Sequence, residues 1–156
     1  MEKTIKFKGN KLIISTHIKD FEFSWCGQFK HSNNILYLND DNLINRDLRD
    51  QEGVYCFVQN IENENIIIYV GKTDKDLLSR INQYITPRVS QKTNQRINSE
   101  LKRLLKEKNS KINIYFLNCN EEIKCVTKDE KGHPSTARII EMIVTGYCWN
   151  KNLLNK

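Results

Sequence analysis

Glu141 is the first residue whose setting asks for chemistry. It stands in Ile139-Ile140-Glu141-Met142-Ile143-Val144, and no other charged residue lies between Arg138 and Lys151. A helix that is apolar all round packs against the body of a protein. A carboxylate in such a helix is costly unless it is paired, protonated or bound to a cation. The residue is therefore half of a structural ion pair, a glutamate at the edge of the apolar stripe, or a ligand for a hard divalent ion such as Mg²⁺. Arg80 carries a similar choice: an i,i+4 partner for Asp76 on a helix surface, or a permanently charged, bidentate guanidinium aimed at phosphate. Tyr84 follows one turn later on the same face. Tyr55 and Tyr69 fall in two β-branched, apolar runs, where tyrosine ordinarily packs. Gly71 reads as turn geometry, and Lys72 is a cation directly after it.

The elements that must position these residues follow from periodicity. Val54 to Gln59 reads as a strand, Asn60 to Asn65 as a polar turn, and Ile66 to Val70 as a second strand, together a hairpin. A helix follows with Leu77, Leu78, Ile81 and Ile85 as its apolar stripe; Thr73 and Asp76 form a variant capping box, and Pro87 stops it. A second helix, 96–108, sets Ile97, Leu101, Leu104 and Leu105 against a face bearing Lys102, Arg103, Lys106 and Lys108. Ile112 to Leu117 is a third strand, and Pro134 opens a last helix over 135–147. The order β-β-α-α-β-α predicts an α/β (α+β) fold: a small three-stranded central sheet flanked by helices, over 51–156. Residues 1–50 hold short alternating pieces, with turns marked by Asn33-Asn34 and by residues 39–42, and read as a β-rich N-terminal extension.

Composition bounds the classes. The chain has 156 residues, 38% hydrophobic and 28% charged, enough for one packed core. Lys and Arg exceed Asp and Glu by 25 to 19, a net +6 that favours an anionic partner, most commonly nucleic acid. No run approaches the ~18–20 apolar residues that span a bilayer, and the N-terminus lacks the apolar region of a secretory signal. The five cysteines make no C-x-x-C pair, which argues against a disulfide framework or a zinc site, and Cys56 and Cys148 read as core residues. A cytoplasmic protein is expected. Asn is abundant throughout and reads as compositional drift.

Taken together, Gly53-Val54-Tyr55, Tyr69-Val70-Gly71, Arg80 nine residues after Gly71, Tyr84 four residues further and Glu141 in a late helix resemble the GIY-YIG nucleases. The resemblance covers about residues 52–152, and the closing Trp149-Asn150 is most similar to the small free-standing restriction and phage endonucleases of that superfamily. It implies a metal-dependent endonuclease that hydrolyses phosphodiester bonds in double-stranded DNA, of sequence-specific restriction type or of the less specific phage or mobile-element type. Glu141 would hold one Mg²⁺ or Mn²⁺. Arg80 would contact the scissile phosphate, and Tyr55 would orient or deprotonate the attacking water. Lys72, Tyr69 and Tyr84 would complete the set, and Asn150, or Asn152 in its place, would brace the last helix.

Lys92, Lys102, Arg103 and Lys106 present either a DNA-backbone track or a solvated helix face. Residues 1–50 are expected to serve recognition or dimerisation, and a double-strand cut calls for a homodimer or larger assembly. Glu122-Ile123-Lys124 matches the E-x-K half-motif of another nuclease fold, but no upstream partner accompanies it; His133 has no companion ligands. A rival of another class is a DNA-binding protein that keeps the fold without cutting.

Overall fold

Apolar side chains on both faces of a strand require layers on both sides of it, and that is the architecture found. The computed structural model describes residues 4–39, 51–119, 136–150 and 152–155. Its strands are β1 (Ile5–Lys8), β2 (Lys11–Ser15), β3 (Asp20–Ser32), β4 (Ile35–Leu38), β5 (Gly53–Ile61), β6 (Glu64–Thr73) and β7 (Lys111–Asn118). Its helices are α1 (Leu77–Ile85), α2 (Lys92–Leu105) and α3 (Thr136–Cys148). The result is a mixed α/β protein with an antiparallel sheet.

Along β5, Tyr55 and Phe57 enter one core with Leu77, Ile81 and Tyr84 of α1 and Ile97 and Leu101 of α2. Val54, Cys56 and Val58 enter the other, with Ala137, Ile140, Val144 and Cys148 of α3. A period of two on the strand thus divides one sequence between two helical layers. On β6 a bulge between Phe57 and Val58 of its partner leaves Ile68 unpaired, so Ile68 and Tyr69 both join the first core.

The sheet corrects the expected three strands. Among the described residues it has seven, in the order β1-β2-β3-β7-β5-β6 with β4 added to β3. The N-terminal strands continue the same sheet because β3 pairs with β7 from Ser24↔Phe116 to Phe29↔Ile112. That pairing joins segments far apart in the chain, and no local pattern announces it.

Other boundaries move for local reasons. The hairpin turn shrinks from six residues to two, Glu62 and Asn63, at φ 52° and 63°; positive φ at both positions matches the twist of the flanking strands. Asp76, not Thr73, caps α1: its carboxylate accepts from Leu78 N at 3.0 Å, and Thr73 Oγ1 accepts from Asp76 N at 3.2 Å. Helix α2 starts earlier and ends earlier than expected, so Lys106 becomes its C-cap and Lys108 lies beyond it. Helix α3 is not apolar all round in its setting. Its buried stripe is Ala137, Ile140, Val144 and Cys148, whereas Met142 is 61% exposed and Glu141 lies beside the stripe, half-buried. Among the described residues no helix is long and apolar enough to cross a membrane. Cys56 and Cys148 are buried, free core residues. Glu122, Lys124, His133 and Pro134 lie outside the described residues, as do residues 40–42 of the second expected turn.

Candidate active site

The hairpin brings the two tyrosines together first. Tyr55 pairs with Gly71 and Phe57 with Tyr69, which places both phenols on the α1 side of the sheet. Tyr84, the last buried residue of α1, meets them from above. The Tyr55 and Tyr84 hydroxyls lie 2.6 Å apart, and the Tyr84 hydroxyl donates to that of Tyr69 at 3.2 Å. Phe57 packs against all three rings. Burial pushes Tyr55 well above the usual phenol range, with Tyr69 adding to the effect and Arg80 only partly opposing it. Burial does the same to Tyr84. Neither phenol is a base at neutral pH, because at Tyr55 complete burial outweighs the nearby Arg80 cation.

Both motif glycines are set by space. A Cβ on Gly71 would lie 2.4 Å from Cζ and from the hydroxyl of Tyr55, and a Cβ on Gly53 would lie 2.3 Å from the Phe116 ring. Each strand carries a glycine where the neighbouring strand lays an aromatic ring across it. Turn geometry is not the reason, since neither residue has a positive φ.

Arg80 turns away from Asp76, which is engaged as the helix cap. Its guanidinium carbon lies 4.7 Å from the centre of the Tyr84 ring, Nη1 donates to Gln83 Oε1, and Nη1 donates to Asn94 Oδ1 at 3.4 Å. Lys72 Nζ donates to Asp74 Oδ1 at 2.9 Å. Glu141 reaches the same place from α3. One cleft of about 330 Å³ is lined by Tyr55, Tyr69, Lys72, Arg80 and Glu141, with Gly71, Thr73, Asp74 and Arg138.

Glu141 is half-buried and makes no hydrogen bond or salt bridge with any described residue. Burial raises its carboxyl above the ordinary carboxylate value; Lys72, Arg138 and Arg80 oppose this through space, and Asp74 adds to it. The ion-pair alternative for Glu141 therefore finds no direct partner among the described residues. Nor do those residues include a group of three or more His, Cys, Asp or Glu that could cage a metal.

Asn150 sits apart from the cleft. Its amide donates to Cys148 O at 2.8 Å and to Ile67 O at 3.3 Å, and its oxygen accepts from Asn152 N at 2.7 Å, so it ties the end of α3 to β6. Asn152 is exposed. The asparagine that grips the tyrosine strand is Asn155, which sequence reading missed: Oδ1 accepts from Val70 N at 2.9 Å and Nδ2 donates to Val70 O at 2.7 Å, between Tyr69 and Gly71. Leu154 N also donates to Ile68 O, so the tail lines the outer edge of β6. Two further asparagines support the site from α2. Asn94 holds Arg80, and Asn98 donates to Tyr84 O and Ile85 O at 2.7 and 3.2 Å, closing the end of α1.

Of the four basic residues on the second helix, the structure groups three. Lys102, Arg103 and Lys106 line a concavity of about 310 Å³ with Ser99 and with Asn34 of the β3–β4 turn. Arg103 Nε and Nη2 both donate to Glu100 Oε2, at 2.9 and 2.7 Å. Lys92 is exposed in the first turn of α2, about 15 Å from Lys102 along the helix axis.

Comparison with known protein families, with characterised proteins and with solved structures returned no match for this chain.

Proposed function

We propose that the protein is a divalent-metal-dependent endonuclease of the GIY-YIG type, acting in the cytoplasm on double-stranded DNA, with Tyr55, Tyr69, Lys72, Arg80, Tyr84 and Glu141 as its active site. One observation carries the reading. Glu141 faces a cation-lined cleft with no hydrogen bond or salt bridge to a described residue; of the three cations there, Lys72 is engaged with Asp74 and Arg80 with Gln83 and Asn94, and Arg138 acts on Glu141 through space. A half-buried carboxylate left open in this way suits a hard cation. A single carboxylate is also a sufficient protein contribution, since Mg²⁺ usually keeps several waters and takes one or two carboxylates together with substrate phosphate.

When bound, the ion supplies Lewis-acid stabilisation of the phosphate and of the departing oxygen. The chain's own residues supply the rest. Arg80, held by the Tyr84 ring and Asn94, presents a fixed cation to non-bridging phosphate oxygens. The Tyr55–Tyr84–Tyr69 hydroxyl chain orients a water at the cleft floor and keeps its own protons, because burial disfavours both buried phenolates. Lys72 adds positive charge at the mouth. The concavity of Lys102, Arg103 and Lys106 fits a flanking stretch of phosphate backbone. With one such site per chain, a double-strand break calls for a homodimer.

Incubation of purified protein with supercoiled plasmid, with and without Mg²⁺, tests the reading. Discrete linear fragments formed only with Mg²⁺ are expected of a sequence-specific enzyme, and a smear of a less specific one. A retained gel shift with no nicked or linear product contradicts the proposal.

A further inference from the structure

We infer that Asp74 is a positioning residue that holds the Lys72 ammonium to its own side of the cleft and so keeps Glu141 open to a divalent cation. The inference rests on the endonuclease reading above. Lys72 is the penultimate residue of β6, and Asp74 is the first residue after that strand. Both line the cleft with Glu141. Lys72 Nζ sits 2.9 Å from Asp74 Oδ1, and its side chain is only 25% exposed, against 71% for Asp74.

A lysine is a compact charge on a flexible stem. Placed beside a half-buried carboxylate, it would swing onto it, because attraction between charges strengthens where water is partly excluded. Here it does not: the exposed aspartate two residues away takes the ammonium, and Glu141 keeps no ion-pair partner among the described residues. Lys72 nevertheless stays within electrostatic reach, since it is the largest of the positive influences on Glu141. An exposed pair this close in sequence adds little to stability, so its consequence lies in what it prevents. Arg80 is diverted in the same manner by Gln83 and Asn94, and Asp74 is the matching device for Lys72, which of the cleft's three cations acts most strongly on Glu141.

A double-mutant cycle on the full chain tests this. Mn²⁺ binding is titrated by electron paramagnetic resonance without DNA, and the Mg²⁺ dependence of plasmid cleavage is measured beside it, for wild type, Asp74→Asn, Lys72→Gln, the double variant and Glu141→Gln. Residues that support a metal ligand typically change affinity by about 10–100-fold, and Asp74→Asn is expected to weaken Mn²⁺ binding by about tenfold on that scale. In the Lys72→Gln background the same substitution is expected to have no further effect, because the lysine it restrains is gone. Unchanged Mn²⁺ binding in Asp74→Asn overturns the inference. So does a loss that persists in the Lys72→Gln background, which would make Asp74 a ligand or a distant charge. If Glu141→Gln binds Mn²⁺ as wild type does, the metal site itself falls, and that result is distinct from a failure of Asp74 alone.

Discussion

Gly71 lies directly against the ring of Tyr55, its cross-strand neighbour: a Cβ at Gly71 would come within 2.4 Å of the phenol carbon and of its oxygen. Tyr55 is fully buried and cannot step aside. The glycine is thus a condition for the position of the phenol on the cleft floor. Gly71→Ala is expected to destabilise the protein by about 1–3 kcal/mol, the usual cost of overpacking, and to slow cleavage by displacing Tyr55. Urea denaturation and cleavage rates check this together; a variant with wild-type stability and rate shows that the ring has room to move.

The tyrosine cluster makes an alkaline prediction. Tyr55 and Tyr84 are both raised in the folded state by burial, so the unfolded chain loses its phenolic protons first as pH rises. The stabilisation this provides is complete below about pH 10, the ordinary phenol value, and is lost as pH climbs through and beyond it. Titration of tyrosinate absorbance is expected to show two of the six tyrosines silent until the chain unfolds. Ionisation of all six near the ordinary value, with circular dichroism unchanged, contradicts the burial account.

How much of this was legible in sequence differs by residue. The hairpin, the α1 and α2 stripes and the placing of Tyr55 and Tyr69 on its two strands were readable because their signals are local and periodic. The β3–β7 ladder was not, since register between distant segments leaves no local trace, and four strands therefore read as an appended extension. Glu141 stood out as a lone charge, but the inference that α3 is surrounded was too strong: Met142 is exposed, and Glu141 sits beside the buried stripe and not within it. The asparagines were the larger miss. Asn94, Asn98 and Asn155 looked like compositional drift, yet each satisfies main-chain groups or a cation beside the cleft. A side-chain amide's role depends on what lies opposite it, and only the tertiary structure supplies that.

Asn155 gives a test of that point. Its amide matches the free main-chain edge of Val70 with two hydrogen bonds. Asn155→Ala leaves a donor and an acceptor of a buried residue without these partners and is expected to cost about 1–3 kcal/mol. Asn155→Asp keeps the acceptor but sets a carboxylate oxygen against Val70 O, so it should cost at least as much as the alanine. Thermal melts of the three proteins read this order; identical melting temperatures contradict the clamp.

Glu141 should behave as a residue held for something other than stability. Burial raises its carboxyl, so the folded state prefers it protonated, and its contribution to stability declines as pH rises through the ordinary carboxylate value towards the raised one. Glu141→Gln removes that burden and is expected to raise the melting temperature of the metal-free protein at neutral pH while leaving its low-pH stability unchanged. A lower melting temperature at neutral pH would instead reveal a structural ion pair.

Single-turnover cleavage of a labelled duplex by folded wild type and Glu141→Gln with Mg²⁺ tests whether Glu141 holds the ion that cleavage needs. Wild type is expected to give Mg²⁺-dependent product and the variant to lose about a thousandfold or more, the several kcal/mol such an ion supplies. Cleavage by Glu141→Gln at the wild-type rate, or no cleavage by wild type on any duplex that it binds, contradicts it.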